Sequence, residues 1–149
     1  MSSATPATPA DVLARRRQVM LDGDADGLAD LFAPDAVIEF TFHGPPGTPV
    51  RLEGREVIRE YSRQVMASPL RLEDYEVTEL YEARDPEVVI VEMRAKATVT
   101  TTGRPLSAAS IQVLRIRDGQ IVFFRDFADP RFLEDVIDEP RGSRPGARQ

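Results

Sequence analysis

The sequence predicts an α+β domain in which N-terminal helices pack on one face of a curved, mostly antiparallel sheet. Three observations predict it. Helical spacing of apolar residues concentrates in the first 66 residues, strand-like alternation dominates from Tyr75 to Phe127, and turn dipeptides sit between successive alternating runs. A chain of 149 residues has room for one core and not for two, and no internal repeat is present.

The helices are read from their caps. Thr8-Pro9-Ala10-Asp11 supplies an N-cap hydroxyl, a proline at the first helical position and an acid at the third, so helix one runs to Asp22 with Gly23 as its stop. A second helix fits Asp24 to Phe32, with Leu28, Leu31 and Phe32 on one side and Ala33-Pro34 ending it. A third, around Arg55 to Met66, aligns Val57, Ile58, Tyr61 and Val65. The acidic cluster Asp22, Asp24, Asp26 and Asp30 lacks the calcium-loop pattern and reads as helix capping.

The first strand is expected from Asp35 to Phe42, with Ala36, Ile38, Phe40 and Phe42 facing inward. Further strands are expected over Tyr75 to Tyr81, Val88 to Thr100, Ser107 to Arg117 and Gln120 to Phe127. Asp85-Pro86, Thr102-Gly103 and Asp118-Gly119 stand where the hairpins would turn. The second of these strands alternates most cleanly, with Val89, Val91, Met93, Ala95, Ala97 and Val99 on one face. Asp129-Pro130 would cap a short helix carrying Phe132, Leu133, Val136 and Ile137. Residues 1–7 and 139–149 read as disordered ends around a domain of residues 8–138.

Composition narrows the chemistry. Nineteen basic against 25 acidic residues give a net charge of -6, which is a poor match for nucleic acid or an anionic membrane. No apolar run approaches the roughly 20 residues of a membrane span, and the N-terminus lacks the pattern of a signal peptide, so a soluble cytoplasmic protein is expected. With no cysteine and a single histidine, thiolate metal sites, His-rich metal sites and cysteine nucleophiles are short of parts. No nucleotide loop is present either: Gly44-Pro45-Pro46-Gly47 is a stiff turn without the spacing or lysine of a phosphate cradle. The expectation is chemistry without cofactor or metal, resting on carboxylates, arginine, tyrosine or His43.

Asp22-Gly23-Asp24 after helix one, LADLFAPDAVIEF, LEGREVIREY and VLRIRDGQIVFFRDFADP occur in an order and spacing that resembles the SnoaL-like group of the nuclear transport factor 2-like superfamily, over about residues 10–138. The resemblance implies a cone-shaped α+β barrel, commonly homodimeric, around an apolar cavity. That superfamily holds isomerases, polyketide cyclases, epoxide hydrolases, dehydratases and silent binders, so fold alone does not choose among them. The Asp-Arg-Asp set of limonene epoxide hydrolases is matched only at Asp126, with Met93 and Ala95 at the other two positions. The three positions of the ketosteroid isomerase pattern, a worked case of acid tuning, are held by Phe40, Arg16 and Gln112. The SnoaL-type cyclases, with a carboxylate on the last strand, are the pattern violated least.

Asp126 shares strand parity with Val122 and Phe124, and the resemblance selects that face as the pocket. Burial there favours the protonated acid and suits proton transfer near neutral pH. Arg16 centres the apolar stripe of helix one, between Val12 and Leu13 on one side and Val19 and Met20 on the other. A buried guanidinium needs a partner, and Asp126 is the carboxylate expected to pair with it; snorkelling outward is the commoner fate. His43, at the end of the first strand, is a candidate rim acid/base, or simply a solvated loop residue. Phe40, Phe42, Tyr61, Met93, Gln112 and Phe124 are expected to line a cavity for a small apolar metabolite of the polyketide, aromatic or terpenoid kind. The leading expectation is cofactor-independent isomerisation, cyclisation or dehydration, with Asp126 moving the proton and Arg16, Gln112 or Tyr61 holding an oxyanion. A binding or accessory protein using the same pocket is the alternative, and a structural dimerisation module a third.

Overall fold

A computed structural model describes residues 7–131. Three helices, α1 (Pro9–Leu21), α2 (Ala25–Ala29) and α3 (Arg55–Ala67), pack on a sheet of six strands: β1 (Phe32–Phe40), β2 (Val50–Glu53), β3 (Leu70–Glu82), β4 (Val88–Val99), β5 (Arg104–Arg117) and β6 (Gln120–Asp126). The strand order is β2-β1-β6-β5-β4-β3, parallel only between β1 and β6. The α+β cone with helices on one face of a curved sheet is therefore the observed architecture.

Local chemistry fixes the ends of the elements. Thr8 and Asp11 exchange bonds as a capping box, the Thr8 N–H donating to Asp11 Oδ2 at 3.0 Å and the Asp11 N–H to Thr8 Oγ1 at 3.1 Å. Gly23, at a φ of 69°, reverses the chain after α1, and Asp24 then caps α2 by accepting the Gly27 N–H at 2.8 Å. The Asp118-Gly119 turn joins β5 to β6 with both residues at positive φ, 53° and 77°, as a two-residue hairpin loop requires. On the outer face, Glu39 lies opposite Arg51 of β2 and Arg125 of β6 in the strand register and accepts from both guanidinium groups, which ties the three strands together.

Several boundaries differ from those the sequence suggests. α2 stops at Ala29, because Phe32 enters the sheet opposite Ile121 and the Ile121 N–H donates to the Leu31 carbonyl at 2.8 Å. β1 accordingly runs from Phe32 to Phe40, crossing Pro34 at an irregularity in register, so Phe42 falls in the following turn and not in the strand. β2, four residues long, is too short to show alternation. β3 starts five residues earlier than expected because register shifts after Leu72 and Val77 break its period. On α3 the inward stripe is Ile58, Tyr61, Ser62 and Val65, while Val57 is 49% exposed. The helix expected after Asp129-Pro130 lies outside the described residues, apart from its first residue, Arg131.

One continuous core joins Val12 and Leu13 of α1, Ile58 of α3 and the inward residues of the sheet, among them Ile38, Val89, Val91, Leu114, Ile116, Ile121 and Phe124. Burial of such side chains, at ~1.5–3 kcal/mol each, is the main stabilising term.

Candidate functional site

The inward face of the sheet changes character along its length. Near the β5–β6 turn, Val89, Leu114, Ile116 and Ile121 fill the space under the helices. Toward the other end the inward positions of β4 and β5 are small: Ala95 lies opposite Ala108, and Ala97 and Ser110 flank that pair. Small side chains under a helical roof leave room, and a cavity of about 510 Å³ opens there between the sheet, α1 and α3. Its wall is mainly apolar, with Phe40, Ile58, Val65, Met93 and Phe124 prominent.

Two polar groups interrupt this wall. The first is built on Arg16, which is 6% exposed and turns inward from the middle of α1. Its Nη1 donates to the Tyr75 hydroxyl at 2.6 Å and to Gln112 Oε1 at 3.1 Å, and the Tyr75 O–H donates to the same amide oxygen at 3.1 Å. The guanidinium carbon sits 4.7 Å from the centre of the Phe124 ring and 5.3 Å from that of Tyr75. Among the described residues no carboxylate forms an ion pair with Arg16. The expected Arg16–Asp126 pair is thus replaced by a triad with two neutral partners, because Tyr75 and Gln112 reach the guanidinium first. Nor does Arg16 snorkel to solvent.

The second polar group is Asp126, on the same cross-strand line as Phe40 of β1 and Gln112 of β5. Its Oδ1 accepts from the Ser110 hydroxyl at 2.6 Å and from the Ala128 N–H at 3.0 Å. Oδ2 accepts from no described residue. Asp126 faces the cavity with Phe124 and not, as parity suggested, with Val122: a register shift between Arg115 and Ile116 of the partner strand places the fully buried Ile121 on the inner face instead.

Tyr61 and His43 complete this end. Both line the cavity, their rings 5.4 Å and 5.1 Å from that of Phe40. Burial, and secondarily the charge of Asp126, push the Tyr61 phenol above its ordinary value, so at neutral pH it is a neutral donor close to that carboxylate. The His43 Nδ1 and the nearby Thr41 Oγ1 are buried without a hydrogen-bond partner among the described residues. Phe42, expected in the wall, is 55% exposed and packs edge-on against Phe127, 6.1 Å between ring centres, because β1 ends two residues before it.

The structure therefore brings together Arg16, Phe40, His43, Tyr61, Met93, Gln112, Phe124 and Asp126 around one cavity and leaves out Phe42. Tyr75 and Ser110, which hydrogen-bond Arg16 and Asp126, belong to it and were not singled out from the sequence. Ser110 shares strand parity with Gln112 and could have been found that way. Tyr75 could not, since the bulges of β3 on either side of it hide which face it occupies. Among the described residues no group of three or more His, Asp or Glu side chains is placed to hold a metal ion.

Comparison with known proteins fits this geometry. Residues 14–124 match the SnoaL-like domain. The chain belongs to the SnoaL-like family. It is 39% identical over 125 residues to an uncharacterized PhzA/B-like protein of Pseudomonas aeruginosa, covering 83% of this chain and 86% of that one. It is 30% identical over 118 residues to the uncharacterized protein YesE of Bacillus subtilis, covering 79% of each. Among solved structures, a candidate isomerase of Bacillus subtilis superposes with a TM-score of 0.77 at 29% identity, over 86% of this chain and 91% of that one. IdmH, a candidate polyketide cyclase of Streptomyces antibioticus, gives a TM-score of 0.66 at 26% identity, over 88% and 99%. No helix among the described residues is long and apolar enough to cross a membrane.

Proposed function

We propose that this SnoaL-like protein catalyses proton transfer on a small, largely apolar, carbonyl- or hydroxyl-bearing metabolite held in the cavity, in an isomerisation, cyclisation or dehydration that needs no cofactor. The observation that carries the reading is Asp126: one carboxylate oxygen is fixed by Ser110 and Ala128, and the other is left without a described protein partner in a mostly apolar chamber. Fixing one oxygen orients the acid, and the unspent oxygen is the one that takes or returns a proton. Proton transfer of this kind typically contributes ~10²–10⁴ in rate.

The neighbours supply what a base alone lacks. Tyr61, neutral and close to Asp126, is a donor for an oxygen that gains negative charge when a proton leaves the adjacent carbon. Gln112 is already oriented by Arg16 and Tyr75 through its carbonyl oxygen, which turns its amide N–H groups away from that triad. His43 shares this wall, its ring 5.1 Å from that of Phe40, and shapes the chamber beside Asp126. The likeness to a candidate isomerase and a candidate polyketide cyclase supports the reaction class. A binding or accessory role is the second reading, favoured by Phe40, Met93 and Ala95, which replace the polar residues of the better-defined relatives with groups incapable of acid/base work.

The test is proton exchange at a bound ketone in wild type and Asp126→Asn, with ligand affinity measured alongside. Exchange lost at retained affinity supports the enzyme; affinity without exchange in either protein supports the binder. A homodimer is proposed as the assembled form, through the outer sheet face where Ile111 and Tyr81 are 49% and 46% exposed. Light scattering should then give twice the chain mass, falling to one chain mass in Ile111→Glu.

A further inference from the structure

Among the described residues no carboxylate pairs with the charge on Arg16. Its hydrogen-bond partners, Tyr75 and Gln112, are neutral, and Phe124 and Tyr75 offer only ring faces. Withdrawing a guanidinium from water is costly unless an anion compensates it. The charged groups that share the cavity lining do not fill this role. Asp22 and Asp129 are exposed at its mouth, engaged by Gln18 and Arg131, and Asp126 bonds to Ser110 and Ala128 and not to Arg16. Arg71, at the mouth and exposed, is paired with Glu73 at 3.2 Å.

The geometry of the triad also leaves one edge of the guanidinium open. Both bonds to neutral partners use Nη1, so Nε and Nη2 donate to no described residue, and neither is sealed off in the way the His43 Nδ1 is. Nε and Nη2 form the side-on fork that a carboxylate takes with two parallel hydrogen bonds. The guanidinium carbon lies over the Phe124 ring, and the bonds to Tyr75 and Gln112 keep the group from swinging away.

We infer that the ligand is a carboxylate: a molecule with an apolar ring or chain whose single carboxylate sits on the Nε–Nη2 edge of Arg16, while its reacting carbon lies toward Asp126. The inference rests on the cavity being the ligand site, as proposed above, and adds the chemical class. One guanidinium, with no second inward cation among the described residues and no glycine-rich loop in the sequence, matches one carboxylate better than a phosphate. Gln112 joins the two polar groups, bonded to Arg16 through its side chain and paired with Asp126 across the strands, so an anchored carboxylate sets which part of the ligand meets the base.

The test compares 2-naphthoate with 2-naphthamide, which share a shape and differ in charge, by titration calorimetry on the full chain. The expected result is at least tenfold tighter binding of the naphthoate to wild type. In Arg16→Met that preference should vanish through loss of naphthoate affinity, and Arg16→Lys should keep part of it. Equal affinities in wild type, binding of neither probe, or a preference that survives in Arg16→Met would each overturn the inference. Should Arg16→Met not fold by circular dichroism, the wild-type ratio and Arg16→Lys decide. Asp126→Asn is expected to bind naphthoate at least as well as wild type, so a failure of the proton-transfer reading leaves this result untouched, and the converse also holds.

Discussion

Replacing Tyr75 by phenylalanine and Arg16 by methionine perturbs the same buried triad from opposite sides. In Tyr75→Phe, Arg16 keeps its charge and loses the acceptor 2.6 Å from Nη1, while Gln112 loses a donor at 3.1 Å. Hydrogen bonds to charged groups contribute ~1.5–3 kcal/mol, and Tyr75 is fully buried, so water cannot restore the loss. The expected destabilisation is about 2–3 kcal/mol, or roughly 5–10 °C in Tm for a chain of this length. Arg16→Met removes the buried charge instead and leaves the Tyr75–Gln112 bond in place. Exchanging a buried ion for an apolar side chain of similar reach is often neutral or stabilising, so a change within about 1 kcal/mol of wild type is expected. Urea denaturation of the three proteins with equal m-values measures both shifts. An Arg16→Met loss above about 3 kcal/mol with Tyr75→Phe close to wild type would refute the reasoning, because Arg16 would then be a structural keystone and not a charge kept for a ligand.

The same geometry predicts other outcomes. Ala108→Leu puts a branched side chain opposite Ala95 in the cavity wall, and should lower affinity for 2-naphthoate at least tenfold while the far-ultraviolet circular dichroism is unchanged. The Tyr61 phenol, raised by burial and by Asp126, should ionise above 10.0, read as the phenolate absorbance missing from Tyr61→Phe. The folded state then holds this proton after the unfolded chain has released it, so the associated stability is complete below pH 10 and declines as pH rises through the folded value. Ionisation of Tyr61 at or below 10.0 would contradict the placement.

The fold was legible wherever local chemistry decides an element by itself. The capping box at Thr8 and Asp11, the clean alternation of β4 and the Asp118-Gly119 turn are all present in the structure as the sequence implies. Legibility failed where tertiary pairing overrides local pattern. Phe32 looks like the last residue of a helix and instead pairs with Ile121, and β1 ends at Phe40, which leaves Phe42 outside the wall. Bulges within β6 and β3 changed which residues face inward, giving Ile121 the place expected for Val122 and concealing Tyr75. For the site, periodicity was enough to aim Arg16 at the core and, with the family likeness, Asp126 at the cavity. It could not choose between them as partners, because hydrogen-bond reach depends on side-chain distances across α1, β3 and β5 that spacing along the chain does not encode.

The most direct test of Asp126 as the proton-moving group is deuterium exchange at the carbon beside the carbonyl of 2-tetralone, a compact apolar ketone, monitored by NMR in heavy water with wild type and Asp126→Asn. The expected result is exchange faster than buffer with wild type and a loss of ~10²-fold or more in Asp126→Asn at similar ketone affinity. Equal exchange rates in the two proteins would contradict the role assigned to Asp126.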